Sequence, residues 1–183
     1  MSSAGSVRQL ATEELSEAEV ALVRAILRDA FAGDGEGFTN EDWVHALGGS
    51  HFVLERDGTI LAHAAVVERE LHAGGLPVRS GYVEAVATRP DAQGRGYGAR
   101  VIEAVNEHIR DTYALGALSA AAPEFYIRLG WKPWLGPTAV RTAAGEARTP
   151  EDDGDIMVLA TPSSPALDRH AVLSCPWRPG DVW

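Results

Sequence analysis

The stretch Gly81–Ile109, GYVEAVATRPDAQGRGYGARVIEAVNEHI, constrains this chain more than any other. It opens on strand-forming residues, Tyr82 to Thr88, which Arg89-Pro90-Asp91 interrupts, because proline has no backbone donor and restricts the residue before it. Gln93-Gly94-Arg95-Gly96-Tyr97-Gly98 follows, and at once a helical pattern with Val101, Ile102, Val105 and Ile109 on one face. A strand, a glycine-rich turn and a helix N-terminus together form an anion cradle. The first backbone N–H groups of the helix lack partners, and the helix end carries about half a positive charge. Glycines at alternate positions remove the Cβ atoms that would hold a diphosphate away from the backbone.

The spacing separates this turn from other phosphate loops. A dinucleotide fingerprint reads G-x-G-x-x-G, and a nucleotide-triphosphate loop ends in Gly-Lys-Ser/Thr; this turn has neither. What remains is Gln93-x-x-Gly96-x-Gly98 after a strand ending Val-Ala-Thr, either an ordinary strand-to-helix connection or a pyrophosphate site. With the strand before it and the helix after it, the motif resembles Q/R-x-x-G-x-G/A of the GNAT superfamily of acyl-CoA-dependent N-acetyltransferases. That resemblance implies acetyl-CoA as cofactor. Gln93, Gly94, Arg95, Gly96, Tyr97, Gly98 and Ala99 would cradle its pyrophosphate, and the backbone of Val86, Ala87 and Thr88 would meet its pantetheine arm. It also implies an α/β (α+β) fold, with a mixed central sheet splayed around the acetyl-CoA site and flanked by helices.

Composition narrows the class. The 183 residues suit one domain, 1–183, and 45% hydrophobic content is ordinary for a globular protein. No apolar run reaches the roughly 18 residues of a spanning helix, and no basic-then-apolar leader opens the chain, so a cytoplasmic location is expected. The net charge of −10 argues against nucleic acid or an anionic membrane as partner and suits a cationic ligand. The six histidines include no i, i+4 pair and have no cysteine partner, so no metal site is expected. Cys175, the single cysteine, is either an acetyl-carrying nucleophile or, with no base evident in Cys-Pro-Trp, a small buried hydrophobe.

Along the chain, Val7–Leu10 reads as an edge strand, and Ser16-x-x-Glu19 is a capping box before Val20, Val23, Leu27 and Phe31 at helical spacing, with Gly33 closing that helix. Thr39-x-x-Asp42 opens a short second helix, stopped by Gly48-Gly49. His51–Arg56 and Thr59–Leu71 read as strands joined by an Asp57-Gly58 hairpin turn, and Gly74-Gly75 turns into Leu76–Ser80. Leu115–Ala121 reads as a strand, Pro123–Leu129 as a short helix, and Trp131–Trp134 and Ile156–Leu159 as late strands. Gly136–Gly154 reads as a Gly/Pro/Thr-rich connection and the tail from Thr161 as proline-rich.

A narrower resemblance rests on Phe31-Ala32-Gly33-Asp34, Gly81-Tyr82-Val83-Glu84, Leu115 to Ser119, Gly130-Trp131-x-Pro133-Trp134-x-Gly136-Pro137-Thr138 and the final Trp-Arg-x-Gly-Asp-Val-Trp. These blocks are similar to the aminoglycoside 2′-N-acetyltransferases. The longer Gly35-Glu36-Gly37 loop and the shorter, less basic Ala121–Phe125 depart from that pattern and bear on substrate range. The resemblance implies a homodimer acting on a polycationic aminoglycoside held by Asp34, Glu84, the Ala85 backbone, Ser119, Glu151, Asp152 and the carboxylate of Trp183. Without that pattern, Glu151-Asp152-Asp153 reads as a solvated turn.

Acetyl transfer to an amine needs a neutral nitrogen, a route for its proton, a polarised carbonyl and a proton for the leaving thiolate. Glu84 on the central strand can take the amine proton through a water, since a carboxylate of pKa about 4.3 is a poor direct base for an ammonium. By resemblance Tyr126 is the acid, with Tyr113 a neighbouring alternative, and a strand N–H, that of Val86, polarises the carbonyl. Two other readings share these features: acetylation of a different cellular amine, such as a peptidoglycan amino sugar or a polyamine, and a non-catalytic acetyl-CoA-binding domain. Glu84 and Tyr126 weigh against the second.

Overall fold

The computed structural model describes residues 5–33, 35 and 37–183. Contacts gather these into two compact units, one of residues 1–67 and 83–105, the other of 68–82 and 106–183.

In the first unit, β1 (Ser6–Ala11) pairs antiparallel with β2 (Ser50–Arg56), which pairs antiparallel with the first part of β3 (Thr59–Ala73). Between β1 and β2 run α1 (Glu17–Ala30) and α2 (Asn40–His45). Both start at the capping boxes visible in the sequence: Ser16 and Thr39 accept the N–H groups of Glu19 and Asp42, whose carboxylates reach back to the cap N–H groups. Val23, Ile26 and Leu27 of α1 and Trp43 of α2 pack on Val53, Ile60, Ala65 and Ala87. This face is where the stable core of the unit lies.

Asp57 and Gly58 turn the β2–β3 hairpin with φ of 51° and 73°, the left-handed pair that such a tight turn requires. A bulge at Leu54/Glu55 then shifts the register by one residue. Leu76–Thr88 form one continuous strand, β4, rather than a lead-in and a separate central strand. Its last residues, Val83–Thr88, belong to this unit, as does the start of α3 (Tyr97–Thr112).

In the second unit the strands run in the order β6 (Lys132–Pro133), β9 (Ile156–Ala160), β5 (Leu115–Ser119), β4, β3, β10 (Leu173–Pro176), β7 (Thr138–Thr142) and β8 (Gly145–Arg148). The sheet is mixed: β4–β5 and β10–β7 are parallel, and β5–β9, β10–β3 and β7–β8 are antiparallel. The parallel register pairs Ser80–Tyr82 with Leu115–Ala117. Gly81 lies where Tyr113 and Ile109 press against the strand; a Cβ there would meet the Tyr113 ring at 2.6 Å. Tyr113 is therefore a packing residue, with the Arg79 guanidinium stacked over its ring.

Two stretches that carry no strand signal in the sequence hold strands. The Gly/Pro/Thr-rich segment Gly136–Gly154 contains the β7–β8 hairpin and a 3-10 turn at Pro150–Asp152. The proline-rich tail contains β10, inserted between β3 and β7. Short strands flanked by proline and threonine carry too little period-2 signal to stand out, and the pairing energy comes from neighbours distant in sequence.

Among the described glycines of this unit, Gly136 leaves the least room for a side chain. A Cβ built on it would lie 2.0 Å from the Ala171 carbonyl oxygen and 2.6 Å from the His170 carbonyl carbon. Backbone cannot yield as a side-chain end can. Gly136→Ala should therefore destabilise the protein by about 1–3 kcal/mol in urea unfolding, whereas Gly33→Ala, with open space around its Cβ, should stay within about 0.5 kcal/mol.

Candidate functional site

The first unit assembles the turn after β4. Arg89 closes the strand end: its N–H bonds the Leu61 carbonyl, and its guanidinium clamps Asp91 in a two-pronged ion pair. A 3-10 turn, Pro90–Ala92, leads to Gln93, whose side-chain amide donates to the Thr88 carbonyl at 3.3 Å. Gly94 and Gly96 take φ of 72° and 80°, which side chains adopt only with strain. The first bond of the α3 ladder runs from the Arg100 N–H to the Gly96 carbonyl, so the N–H groups of Tyr97, Gly98 and Ala99 precede it. The Tyr97 phenol is buried and accepts from Arg56 at 3.0 Å, which leaves its backbone as its contribution to the turn. A Cβ at Gly94 or Gly96 would meet nothing within 4 Å. The turn is an open, left-handed loop over a helix N-terminus and fits a diphosphate.

Glu84, Ala85, Val86 and Thr88 are half-buried on the strand feeding this turn, and Ala87 is buried. Ala85 has φ of 52°. Only glycine adopts this region readily, and for alanine it costs roughly 1–2 kcal/mol. Its carbonyl meets His63 Nδ1 at 2.8 Å, His63 Nε2 meets His51 Nδ1 at 3.0 Å, and His51 Nε2 meets the Thr12 hydroxyl at 2.9 Å. Thr12 Oγ1 in turn accepts the Gly48 N–H at 2.9 Å. Both imidazoles are fully buried, with the Trp43 indole 5.8 Å and 6.4 Å from their ring centroids.

Reading the sequence for metal spacing missed this pair, because its partners come from different strands. A two-residue turn at Asp57-Gly58 by itself sets Phe52 opposite His63 and turns His51 to the other face. The bulge shifts the register to Val53↔His63, and His51, two residues from Val53, joins His63 on one face. A visible hairpin with two histidines in its arms was the available signal; the bulge was not legible.

On α1's side of the Arg89–Asp91 turn lies a cavity of about 510 Å3 lined by Leu22, Ile26, Asp29, Ile60 and Arg89. Gly94 and Gly96 do not line it.

The second unit carries the other residues. Tyr126 sits in α4 (Pro123–Ile127), buried, with the Trp131 ring edge-on at 6.1 Å. Trp131 is itself pinned: its indole N–H donates to Asn106 Oδ1 at 2.8 Å, and Asn106 Nδ2 donates to the Leu129 carbonyl. Burial pushes the Tyr126 phenol up to about 12, so it is a proton donor and not a phenolate at working pH. Ser119 is exposed at the end of β5.

The acidic run divides by role. Asp153 accepts the Thr138 N–H at 2.7 Å and pairs with Arg148 at 2.6 Å; the Thr138 bonds first, then the arginine, hold its carboxyl below the usual range. Asp152 is half-buried, and burial, with Glu151, Asp181 and Asp155 nearby, raises its pKa. Glu151 is exposed. The Trp183 indole is buried and donates to Thr149 Oγ1 at 3.0 Å, Thr149 donates to Thr138, and Arg178 reaches the Trp183 main-chain oxygen at 3.2 Å. Trp183 and the Glu151–Asp152 turn are thus joined through Thr149. Asp34 lies outside the described residues. Cys175 is buried, its thiol donating to the Val182 carbonyl at 3.2 Å, and burial raises its pKa, which is the wrong environment for a nucleophilic thiolate.

A family model described as an acetyltransferase (GNAT) domain matches residues 11–134. The chain is 44% identical over 182 residues, 97% of its own length and 92% of the relative's, to an aminoglycoside 2′-N-acetyltransferase of Mycolicibacterium fortuitum. Among solved structures, a GNAT family acetyltransferase from Brucella melitensis in complex with acetyl-CoA has a TM-score of 0.58 at 19% identity, covering 90% of this chain and 94% of that one. A GNAT family N-acetyltransferase from Escherichia coli in complex with CoA has a TM-score of 0.64 at 15% identity, covering 93% and 89%. At those identities the likeness shows the fold.

The histidine pair makes a pH prediction. Burial is the first cause that lowers both: His51 falls from 6.5 to about 4, and His63 is held lower still with His51 beside it. A depressed folded pKa means that the unfolded chain binds protons the folded chain refuses, so stability is lost as pH falls below 6.5. Between pH 7.5 and 5.0 each histidine should remove roughly 2 kcal/mol from the unfolding free energy. Urea unfolding of the protein and of His63→Leu should show a smaller acid loss in the variant. Equal losses would mean that His63 is already charged in the fold.

Proposed function

The chain belongs to the GNAT acetyltransferases, and from that premise we propose that it transfers the acetyl group of acetyl-CoA to the 2′-amino group of an aminoglycoside, directly within a ternary complex. It is an enzyme, an acetyl-CoA-dependent N-acetyltransferase with the GNAT fold, α and β elements around a mixed sheet. The observation that carries the reading is the open turn Gln93–Gly98 at the N-terminus of α3, which follows the strand that carries Glu84. The substrate assignment is supported by the similarity to the Mycolicibacterium enzyme along nearly the whole chain. The reading takes 1–183 as a single catalytic domain.

Acetyl-CoA supplies the acetyl group as a thioester. The N–H groups of Gly94–Ala99 and the N-terminus of α3 hold its diphosphate, and the backbone of Val86, Ala87 and Thr88 offers strand-like bonds to its pantetheine arm. Glu84 holds the substrate ammonium and takes its proton through a water, leaving a neutral nitrogen to attack the carbonyl carbon. The Val86 N–H donates to the carbonyl oxygen as charge builds on it. As the C–N bond forms and the C–S bond breaks, Tyr126 gives its proton to the sulfur, and the acylated nitrogen releases its second proton to solvent, from which the phenolate is reprotonated; a phenol held near 12 stays protonated until sulfur needs its proton. Asp34, Ser119, Glu151, Asp152, the Ala85 backbone and the Trp183 carboxylate bind the remaining ammonium and hydroxyl groups. The raised pKa of Asp152, whose carboxylate is half-buried among like charges, fits a site that a polycation neutralises. Resistance to aminoglycosides follows from that activity. By the same reading the protein is a homodimer, on the family resemblance, and cytoplasmic, on its composition; no helix among the described residues is long and apolar enough to cross a membrane.

A thiol-release assay over aminoglycosides with and without a 2′-amine, polyamines and amino sugars tests the substrate. Turnover confined to 2′-amino aminoglycosides is expected, and turnover only on the others would overturn the assignment. Glu84→Gln should lower kcat by roughly 10²–10⁴-fold, while Cys175→Ala should leave it nearly unchanged. Gly96→Asp places a side chain and a like charge in the cradle and should abolish acetyl-CoA binding in calorimetry, without unfolding the protein.

A further inference from the structure

The peptide joining Ala85 to Val86 carries two groups of interest. Its carbonyl oxygen faces His63, and its N–H is the donor assigned above to the thioester oxygen. Because the unit is planar and trans, fixing the direction of the carbonyl fixes the direction of the N–H on the opposite side. The φ of 52° at Ala85 means that the backbone does not hold this orientation unaided.

The bonding along the buried chain has one consistent polarity. A carbonyl only accepts, so His63 Nδ1 carries the proton and His63 Nε2 accepts. His51 Nδ1 must then donate, and His51 Nε2 must accept from the Thr12 hydroxyl. Thr12 receives the Gly48 N–H, which closes the chain on backbone. Every donor in this series points toward Ala85. A series of aligned bonds in a dry environment polarises each member, and the last member is the peptide itself. Burial that keeps both rings neutral maintains this arrangement across the working pH range.

We propose that Thr12, His51 and His63 are positioning residues for acetyl transfer: through the His63–Ala85 hydrogen bond they hold and polarise the Ala85–Val86 peptide, aiming the Val86 N–H at the developing oxyanion and setting the direction of the adjoining Glu84. The inference rests on the function proposed above. A packing role alone predicts that any buried group of similar size serves at position 63; a positioning role demands a donor where Nδ1 stands.

Two measurements test it. In the wild-type protein, long-range nitrogen–proton NMR on labelled histidine should show His63 and His51 both in the Nδ1–H tautomer at pH 7; His63 in the Nε2–H tautomer overturns the proposal. In kinetics, His63→Leu removes the donor and should lower kcat by roughly 10–100-fold while acetyl-CoA affinity changes by less than about 3-fold. His63→Asn, whose amide nitrogen can take the place of Nδ1, should recover kcat to within about 5-fold of wild type. A folded His63→Leu enzyme with wild-type kcat overturns the proposal, as does a folded His63→Asn enzyme no better than His63→Leu. If the leucine variant does not fold, the tautomer and the asparagine variant decide. The tautomer measurement needs no turnover, so an enzyme that acetylated no aminoglycoside would overturn the function above and leave this geometry standing.

Discussion

The hydrogen bond from His63 to the Ala85 carbonyl sets the terms for the first unit. A left-handed alanine in a strand costs roughly 1–2 kcal/mol, and a buried carbonyl left without a partner costs roughly 1–3 kcal/mol more. A hydrogen bond of ordinary net strength, about 1 kcal/mol, does not offset that strain on its own. What makes the arrangement stable is that the bond also prevents the larger penalty, and that the imidazole making it is locked by His51, Thr12 and Gly48. Around that chain the apolar face of α1 and α2 closes with Val23, Ile26, Leu27 and Trp43, excluding the water that would otherwise satisfy the same groups.

The second unit solves a different problem: how to order short strands and a chain terminus. It does so with buried polar groups bonded to one another and to the backbone. Asn106 uses both ends of its amide to fix Trp131 and the Leu129 carbonyl, and Trp131 in turn packs on Tyr126. Thr138, Thr149 and Asp153 bond among themselves and receive the Trp183 indole. Arg69 reaches two carbonyls of the last segment, those of Pro176 and Val182, while stacking over Tyr82. Such groups are expensive when half-satisfied, so each network demands one geometry. That is how a proline-rich tail acquires a defined strand and a defined end.

The elements with strong local signals were legible. The capping boxes at Ser16 and Thr39, the Asp57-Gly58 turn and the apolar stripe of α3 each rest on interactions within a few residues, and each is where the sequence puts it. So was the left-handed turn before α3, because glycine at Gly94 and Gly96 is a backbone requirement written directly in residue type. The β7–β8 hairpin and β10 were not legible, since their stability comes from pairing with strands far along the chain. Nor was the division of Glu151-Asp152-Asp153, where identical chemistry ends up exposed, half-buried or tied to Thr138 and Arg148.

The reaction class was readable from residue order. A strand, a glycine turn and a helix N-terminus are contiguous, and the groups proposed to hold a diphosphate are backbone N–H groups that need only the right local conformation. Which histidines meet depends instead on how the strands pair. His51 and His63 are ordinary strand residues until a single bulge at Leu54/Glu55 changes the parity of the hairpin and brings them to one face. A side-chain period of two makes a one-residue shift invert every face, and no local preference in the sequence marks where such a shift will fall.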